Sequence, residues 1–577
     1  MPEAGAGQSL PGYPGSLTAR TIRDNFYLMK LLRLLANALL SGLFFSLLLT
    51  LLFIDLNINL KPSLFQMIGL MLPVCLFCGL PAVLLTIFVT YFIWFLSGKP
   101  KRLAWISPSF LSLSFASWLV PYLAVFRANQ TYFSAFFDEE MTSLLRTQAI
   151  VLIALAVLGC LAFYAARRSG RRALFFVPYF LLLIAGLAFL FAARWQYPKP
   201  PALSRITRLE ARKIDRKVFL LGLEGMSVDF IIPLVSEGKL PNFSWLMEGG
   251  AWGRLENFSP TEPWVLKNSL ETGKFPAKHR QISPYLYRIL NHGDTLEMVP
   301  RFMLFKQLTR IGALQIIPQK PAASTRGIWQ ILEQNGVSFL MRDTPAGLPA
   351  AAADPKAEKQ FGDLFPELGT ATGPLESTVR KAFFGDWTYE DMALDDRSKA
   401  QPQVFQLVLD GLSAVETFFY KYSFPVLFGN VDQASVARYG TVIEKYYQFY
   451  DQLLGKYLTG LKEDEILVVY SSHGIEPLPL WKRFMEWALG NPEVSAYHEF
   501  APDGVIFFYG RSISRGRGLE AFRLVDIAPT LFYALGLPVG KDMDGIVRSP
   551  LFLREFTAEN PIFSISSYDE VEVRPAR

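Results

Sequence analysis

Only three cysteines and four histidines occur in the 577 residues of this chain, and each scarcity closes off a class of chemistry. Cys75, Cys78 and Cys160 all precede residue 195, so nothing after that point can be held by an internal disulfide framework. Cys75 and Cys78 sit within an apolar run, where two small side chains read as packing residues rather than a redox or metal pair. Histidine is confined to His279, His292, His473 and His498, which leaves few nitrogen ligands for any metal centre. No basic stretch interleaved with aromatics argues for nucleic-acid binding. The 14% aromatic content includes runs at 418–420 and 446–450 that read as core and helix-packing surface. The opening MPEAGAGQSLPGYPGS has no cleavable signal pattern, so the first apolar segment is expected to be an anchor.

What is abundant is apolar residue, 51% of the chain, with a mean hydropathy of +0.24. The excess lies before residue 195 in runs that approach the roughly 20 residues a membrane-spanning helix needs. Five spans are predicted, at 34–54, 67–96, 110–126, 150–166 and 174–193. The second contains Pro73 and Pro81, which predicts a tilt or kink.

Lysine and arginine favour the cytoplasmic side of a span. They gather in the N-terminal flank (Arg20, Arg23, Lys30, Arg33), after the second span (Lys99, Lys101, Arg102) and after the fourth (Arg167, Arg168, Arg171, Arg172). The opposite loops hold Asp55 and Lys61, and Asp138, Glu139 and Glu140. Five spans with the N-terminus inside place the remainder outside the cytoplasm, periplasmic or extracellular, on a plasma (inner) membrane protein. The formal net charge of +6 includes Arg205, Arg208, Arg212, Lys213, Arg216 and Lys217 after the last span, which read either as a lipid-headgroup contact or as a solvated linker.

The expected organisation is a cytoplasmic segment 1–33, a helical transmembrane domain 34–195, a linker 196–216 containing YPKPPAL, and an extracytoplasmic domain 217–577 with a variable insertion around 290–400. Strand-like and helix-like segments alternate in that domain. Strands are expected at 218–223, 337–341, 405–409, 466–470 and 505–509. Helices are expected at 227–237, 242–248, 329–335, 439–461 and 527–535. Such alternation predicts an α/β fold, a mostly parallel sheet flanked by helices. The Ala-, Gly- and Pro-rich 345–374 is expected to be a mobile excursion, and His292 in NHGD a surface loop residue. Ligands bind such sheets at the C-terminal ends of strands. Glu224 ends KVFLLGLEG, and Ser472 and His473 end ILVVYSSHG, so both turns fall where a site would be.

Four segments resemble, in order, the type I phosphodiesterase and nucleotide pyrophosphatase branch of the alkaline phosphatase superfamily, whose relatives include sulfatase-like enzymes. GLEG…LPNFSWLMEGGAWGRL is similar to the family's GLDG…LPNL opening. SLETGKFPAKH is similar to its S-L-x-T-G-K-x-P-x-x-H turn, and VVYSSHG stands where VVxSDHG is usual. VDIAPTLFYALGLPVGKDMDG is close to its C-terminal signature.

The resemblance implies two divalent ions, commonly zinc, beside a hydroxyl nucleophile. One ligand set would come from Glu224, Ser472 and His473. The other would come from Ser413 and Thr417, where the family has Asp-x-x-x-His, and from His498. Serine and threonine are poor ligands, Asp410 and Glu416 are out of register, and glutamate in place of aspartate moves its oxygen within a preorganised site.

Counting back from Thr272 and Gly273 lands on Pro263, so Thr261 is the nearest candidate nucleophile and requires a remodelled turn. Each lost aspartate removes a charge that two dications need, and phosphoryl transfer depends on that electrostatic stabilisation. The expectation is therefore a pseudoenzyme with no cofactor, binding a membrane-complex protein, or a phosphate-bearing lipid or glycan, beside membrane lipid. His473 and His498 are read as remnant structural residues, His279 as a satisfied structural histidine, and Glu224 as a buried acid paired with a hydroxyl or lysine. The alternative is an active metal-dependent phosphodiesterase or phospho-headgroup transferase with one or two ions in a rebuilt site. Its five-span architecture alone resembles that of membrane phosphoethanolamine transferases.

Overall fold

The computed structural model describes residues 15–60, 63–97, 103–197, 216–290, 292–301, 305–318, 325–343, 354–369, 373–429 and 431–569. Lys61, Lys99, Lys101, Arg102, Arg205, Arg208, Arg212 and Lys213 lie outside them, as do residues 198–215 of the expected linker. The chain divides into two compact units, 1–131 with 139–199 and 285–318, and 132–138 with 200–284 and 319–577.

Among the described residues of the chain, five helices are long and apolar enough to cross a membrane: Leu28–Leu56, Phe65–Ser97, Pro108–Tyr132, Glu139–Ser169 and Arg172–Gln196. Each overruns its predicted core at both ends, because the flanking polar residues continue the helix past the apolar run. At 1.5 Å per residue even the shorter ones reach about 37 Å, enough to cross a hydrocarbon core of about 30 Å. The second is a composite. Leu64–Val74 is α-helical, Cys75–Gly79 forms a π-turn, and Leu80–Ser97 resumes the α-helix. Pro73 and Pro81 each remove a backbone donor, and the π-turn between them takes up the changed register. Gly79 lies so close to the first helix that an added Cβ would stand 2.3 Å from Ser46 Oγ. Small residues at such contacts let helix backbones approach in lipid.

A buried polar cluster closes the end of the first span. Arg194 donates to the carbonyls of Ile54 (2.9 Å), Asn57 (2.9 Å) and Leu60 (3.3 Å), in the last turn of the helix and just beyond it. Its Nε lies 3.7 Å from Asp55, whose Oδ1 also accepts from Gln148 at 3.1 Å.

The segment 285–318 belongs to this helical unit rather than to the α/β unit in which the sequence places it. It forms strands Tyr285–Ile289, His292–Leu296 and Leu314–Pro318, the first central and antiparallel to both others. Asn57 holds it: Oδ1 accepts from the amides of Glu297 (2.7 Å) and Met298 (2.9 Å), and Nδ2 donates to Met298 O at 3.0 Å. Asn129 Oδ1 accepts from the Arg301 amide at 2.9 Å. His292, expected in a loop, instead begins a strand paired with Ile289.

In the second unit a seven-stranded sheet is built from β1 (Lys217–Leu223), β2 (Ala251–Glu256), β3 (Phe339–Asp343), β4 (Val404–Leu409), β5 (Glu465–His473), β6 (Asp503–Gly510) and β7 (Arg517–Arg523). Their order is β7-β2-β6-β5-β1-β4-β3. Only β6 runs antiparallel to its neighbours, so the sheet is mostly parallel as predicted. β5, central in the sheet, and its neighbour β1 are buried along nearly their whole length, as continuous apolar runs in a two-sided sheet should be. One face is covered by a core that includes Phe243, Phe419, Tyr446, Tyr447 and Tyr450, the other by one that includes Leu266, Trp329, Phe532 and Tyr533.

Three expectations are corrected here. Residues 345–374 include the helix Pro355–Leu364, capped by Asp354 and buried through Ala357, Phe361 and Leu364. Its apolar residues recur at helical spacing, a signal masked by the surrounding Ala, Gly and Pro. The helix expected at 439–461 is two, Gln433–Tyr439 and Val442–Gly460, separated at Gly440. Arg216, in the stretch read either as a lipid-headgroup contact or as a solvated linker, donates to Ser512 Oγ (2.8 Å) and lies over the Phe556 ring, while Lys217 begins β1. The long helix Pro374–Ala400 went unrecognised in the sequence.

Candidate functional site

β1, β4 and β5 run parallel and end together, so the turns that follow them converge although they are far apart in sequence. The Glu224 amide donates to Leu409 O (2.9 Å) at the end of β4. Gly225 then turns the chain with φ at +98°. A Cβ there would meet Glu416 Oε2 at 2.8 Å and Ser413 N at 2.9 Å, so glycine is required for conformation and for space. That close approach brings Ser413, on helix Gly411–Ser423, against the β1 turn.

Glu224 is 17% exposed at its side chain. Its Oε2 accepts from the Ser472 amide (2.9 Å), the Ser472 hydroxyl (2.7 Å) and, at 3.5 Å, the Ser471 hydroxyl. Burial outweighs these bonds and pushes its pKa from the usual 4.5 up to about 7. Of the two residues that the resemblance sets at ligand positions, Glu224 thus accepts from Ser472.

His473 Nε2 is 4.0 Å from Glu224 Oε2, and its Nδ1 is 2.8 Å from the Gly474 carbonyl, which assigns the proton to Nδ1. The His473 and His498 rings lie 5.3 Å apart between centroids. Burial holds both imidazoles below their ordinary range, His498 at about 4, with the neighbouring His473 contributing. Both are neutral near pH 7.

Thr261 is fully buried. Its hydroxyl donates to the His498 carbonyl and its amide to Glu499 O at 3.0 Å. Thr417 Oγ1 donates back to Ser413 O at 3.0 Å, a bond within its own helix. His279 is buried far along the chain from this corner, its Nε2 2.9 Å from Ser269 Oγ and its Nδ1 accepting from the Gln281 amide at 3.0 Å.

The structure therefore gathers Glu224, Ser472, His473 and His498 into one corner, with Ser413 behind Gly225 and Thr261 bonded to the backbone of His498. Among the described residues no group of three or more His, Cys, Asp or Glu is placed to hold a metal ion.

Two acids beneath the site carry more weight than the sequence suggested. Glu416 is fully buried behind Gly225, and burial raises its pKa well above the ordinary carboxylate range. Asp386 Oδ2 accepts from Tyr446 (2.8 Å) and Tyr450 (2.9 Å), and burial raises its pKa to about 7. Glu416 was legible as a nearby acid out of register. Asp386 carried no signal, because its partners lie 60 or more residues away.

A mostly parallel sheet with helices on both faces, and a polar cluster at the ends of adjacent parallel strands, defines an α/β domain with its candidate site at the strand ends. The model of the type I phosphodiesterase / nucleotide pyrophosphatase family matches residues 218–518, more than half of the chain, and the protein belongs to that family. Among solved structures, human ectonucleotide pyrophosphatase/phosphodiesterase 5 matches at 12% identity with a TM-score of 0.35, covering 58% of this chain and 100% of that one. The murine protein, including an inactive variant in complex with AMP, matches at 12% identity with a TM-score of 0.34, covering 59% of this chain and 100% of its own. No curated protein matches the chain.

Proposed function

We propose that this protein is a non-catalytic member of its family, anchored by five spans, whose extracytoplasmic domain acts as a binding or complex-assembly subunit. The observation that carries the reading is the bonding of Glu224 Oε2 to the Ser472 amide and hydroxyl. An oxygen so engaged, on a carboxyl that burial drives toward its neutral form, is a poor metal ligand. Two neutral imidazoles and that carboxyl do not fit a two-metal centre, which needs several carboxylates to offset four positive charges.

The corner presents neutral polar groups instead, two imidazoles and a carboxyl that burial drives toward its neutral form. A phosphate-bearing lipid or glycan, or a protein partner, is the occupant this chemistry suits. The distribution of lysine and arginine supports a cytoplasmic N-terminus and an external C-terminal domain on the plasma (inner) membrane.

Elemental analysis of the full chain, purified without chelator, tests the proposal. Zinc, manganese and calcium near zero per chain are expected; close to two ions per chain refutes it. A second reading, an active phosphodiesterase or headgroup transferase with a rebuilt site, draws on the closeness of Glu224, His473 and His498. Hydrolysis of an aryl phosphodiester that is abolished by Glu224→Ala or His473→Ala would establish it.

A further inference from the structure

The helix Leu480–Ala488 is built inside out. In a surface helix of a soluble domain, charge faces water and apolar residues face the core. Here Leu480 is 79% exposed, Phe484 64% and Trp487 65%, with Trp481 and Met485 also exposed, and no residue of the helix is buried. The two cationic side chains turn inward. Lys482 donates to Glu499 and lies 3.9 Å from the Tyr497 ring centroid. Arg483 donates to Leu478 O (2.5 Å) and Leu427 O (3.2 Å) and lies over the Phe428 ring. The Leu427 bond joins the helix to a second apolar projection, where Val426 is 92% exposed.

We infer that this helix is an interfacial anchor that lays Leu480, Trp481, Phe484 and Trp487 into the surface of the bilayer that the chain's own spans cross. The occupant is indicated by Glu499. One of its oxygens accepts from Lys482, and the other accepts from the hydroxyl of Tyr132. Tyr132 belongs to the second unit and is the residue on which the apolar helix Pro108–Tyr132 ends. The apolar run of that helix ends at Phe126, and Arg127, Asn129 and Gln130 carry it on to Tyr132, the polar kind of helix end that lies at headgroup level, so one carboxylate ties the inverted helix to an interfacial residue. The Tyr132 ring also packs edge-on against Phe500, at 5.5 Å.

The composition suits that boundary. Tryptophan favours the headgroup level, and an interfacial helix buries its apolar face about 5–10 Å into the headgroup and acyl boundary. A water-exposed patch of this kind on a soluble surface would be an aggregation liability.

The test uses the full chain reconstituted in phosphatidylcholine–phosphatidylglycerol vesicles. An environment-sensitive fluorescent amino acid replaces Trp481, Phe484 or, as control, the exposed Lys399, one at a time. All three side chains project from the surface, and the thermal transition of each variant in detergent is checked first. A blue-shifted emission at 481 and 484, lost when the lipid carries a doxyl quencher on its upper acyl chain, is expected, with no such loss at 399. Emission at 481 and 484 that matches the control overturns the inference. So does a blue shift that resists the lipid quencher and grows with protein density, which would mark a second copy of the chain as the occupant.

Discussion

Replacing Glu224 with glutamine isolates the cost of its charge. With the pKa moved from 4.5 to about 7, the folded protein keeps the carboxyl protonated over a range in which the unfolded chain has released the proton. The protonated form's advantage is fully present below pH 4.5. It is lost as pH rises through 7, because the unfolded chain gains the free energy of ionisation first. The separation corresponds to about 3 kcal/mol at pH 8.

Glutamine keeps the acceptor for the Ser472 amide and hydroxyl and carries no charge. The Glu224→Gln variant should therefore match wild type near pH 4.5 and exceed it by about 2–3 kcal/mol at pH 8. The buried histidines have the opposite dependence. His279 and His498, held at about 3 and about 4, lose stability as pH falls below 6.5. Their effect is common to both proteins and cancels in the difference.

Thermal unfolding of the detergent-solubilised full chain across pH 4.5–8, with and without added zinc, reads this directly. A difference independent of pH would refute the burial argument. A variant less stable than wild type at pH 8, in a way that zinc controls, would show that Glu224 serves as a charged ligand.

Gly225→Ala should cost about 2 kcal/mol or more, since it meets both a left-handed conformation and the Ser413 backbone; the fall in the domain's melting temperature checks it. Asn57→Ala removes three hydrogen bonds to residues 297 and 298, worth about 1 kcal/mol each. Faster proteolytic cleavage within 285–318 is the expected sign, and an unchanged rate would show that other contacts hold the segment. Arg194→Ala leaves Asp55 buried without its cation and takes the guanidinium from three carbonyls, and should destabilise the helical unit by about 3–5 kcal/mol. The loss should appear in detergent melting of the full chain, with no rescue by Arg194→Lys, whose single ammonium cannot span the carbonyls.

The sequence by itself determined what depends on residues close together in the chain. Apolar run length set the number and place of the spans, and Pro73 and Pro81 marked the irregular second span. The turns after 223 and 471 could be read directly, as could the glutamate and the serine that stand at positions 224 and 472 where the resemblance implies aspartates.

Residues distant in sequence were brought together only by the tertiary structure. Glu224 meets Ser472, 248 positions away, because β1 lies beside β5. Glu416 lies behind Gly225 because helix Gly411–Ser423 packs against the β1 turn. Residues 285–318 join the helical unit through Asn57, whose polar contacts leave no periodic trace in either partner's sequence. The helix Leu480–Ala488 shows the limit most clearly. Its amphipathic pattern is local, but a pattern alone does not say which face turns inward. That was decided by Glu499 and the carbonyl of Leu427, which hold its charged side against the domain and leave the apolar side outward.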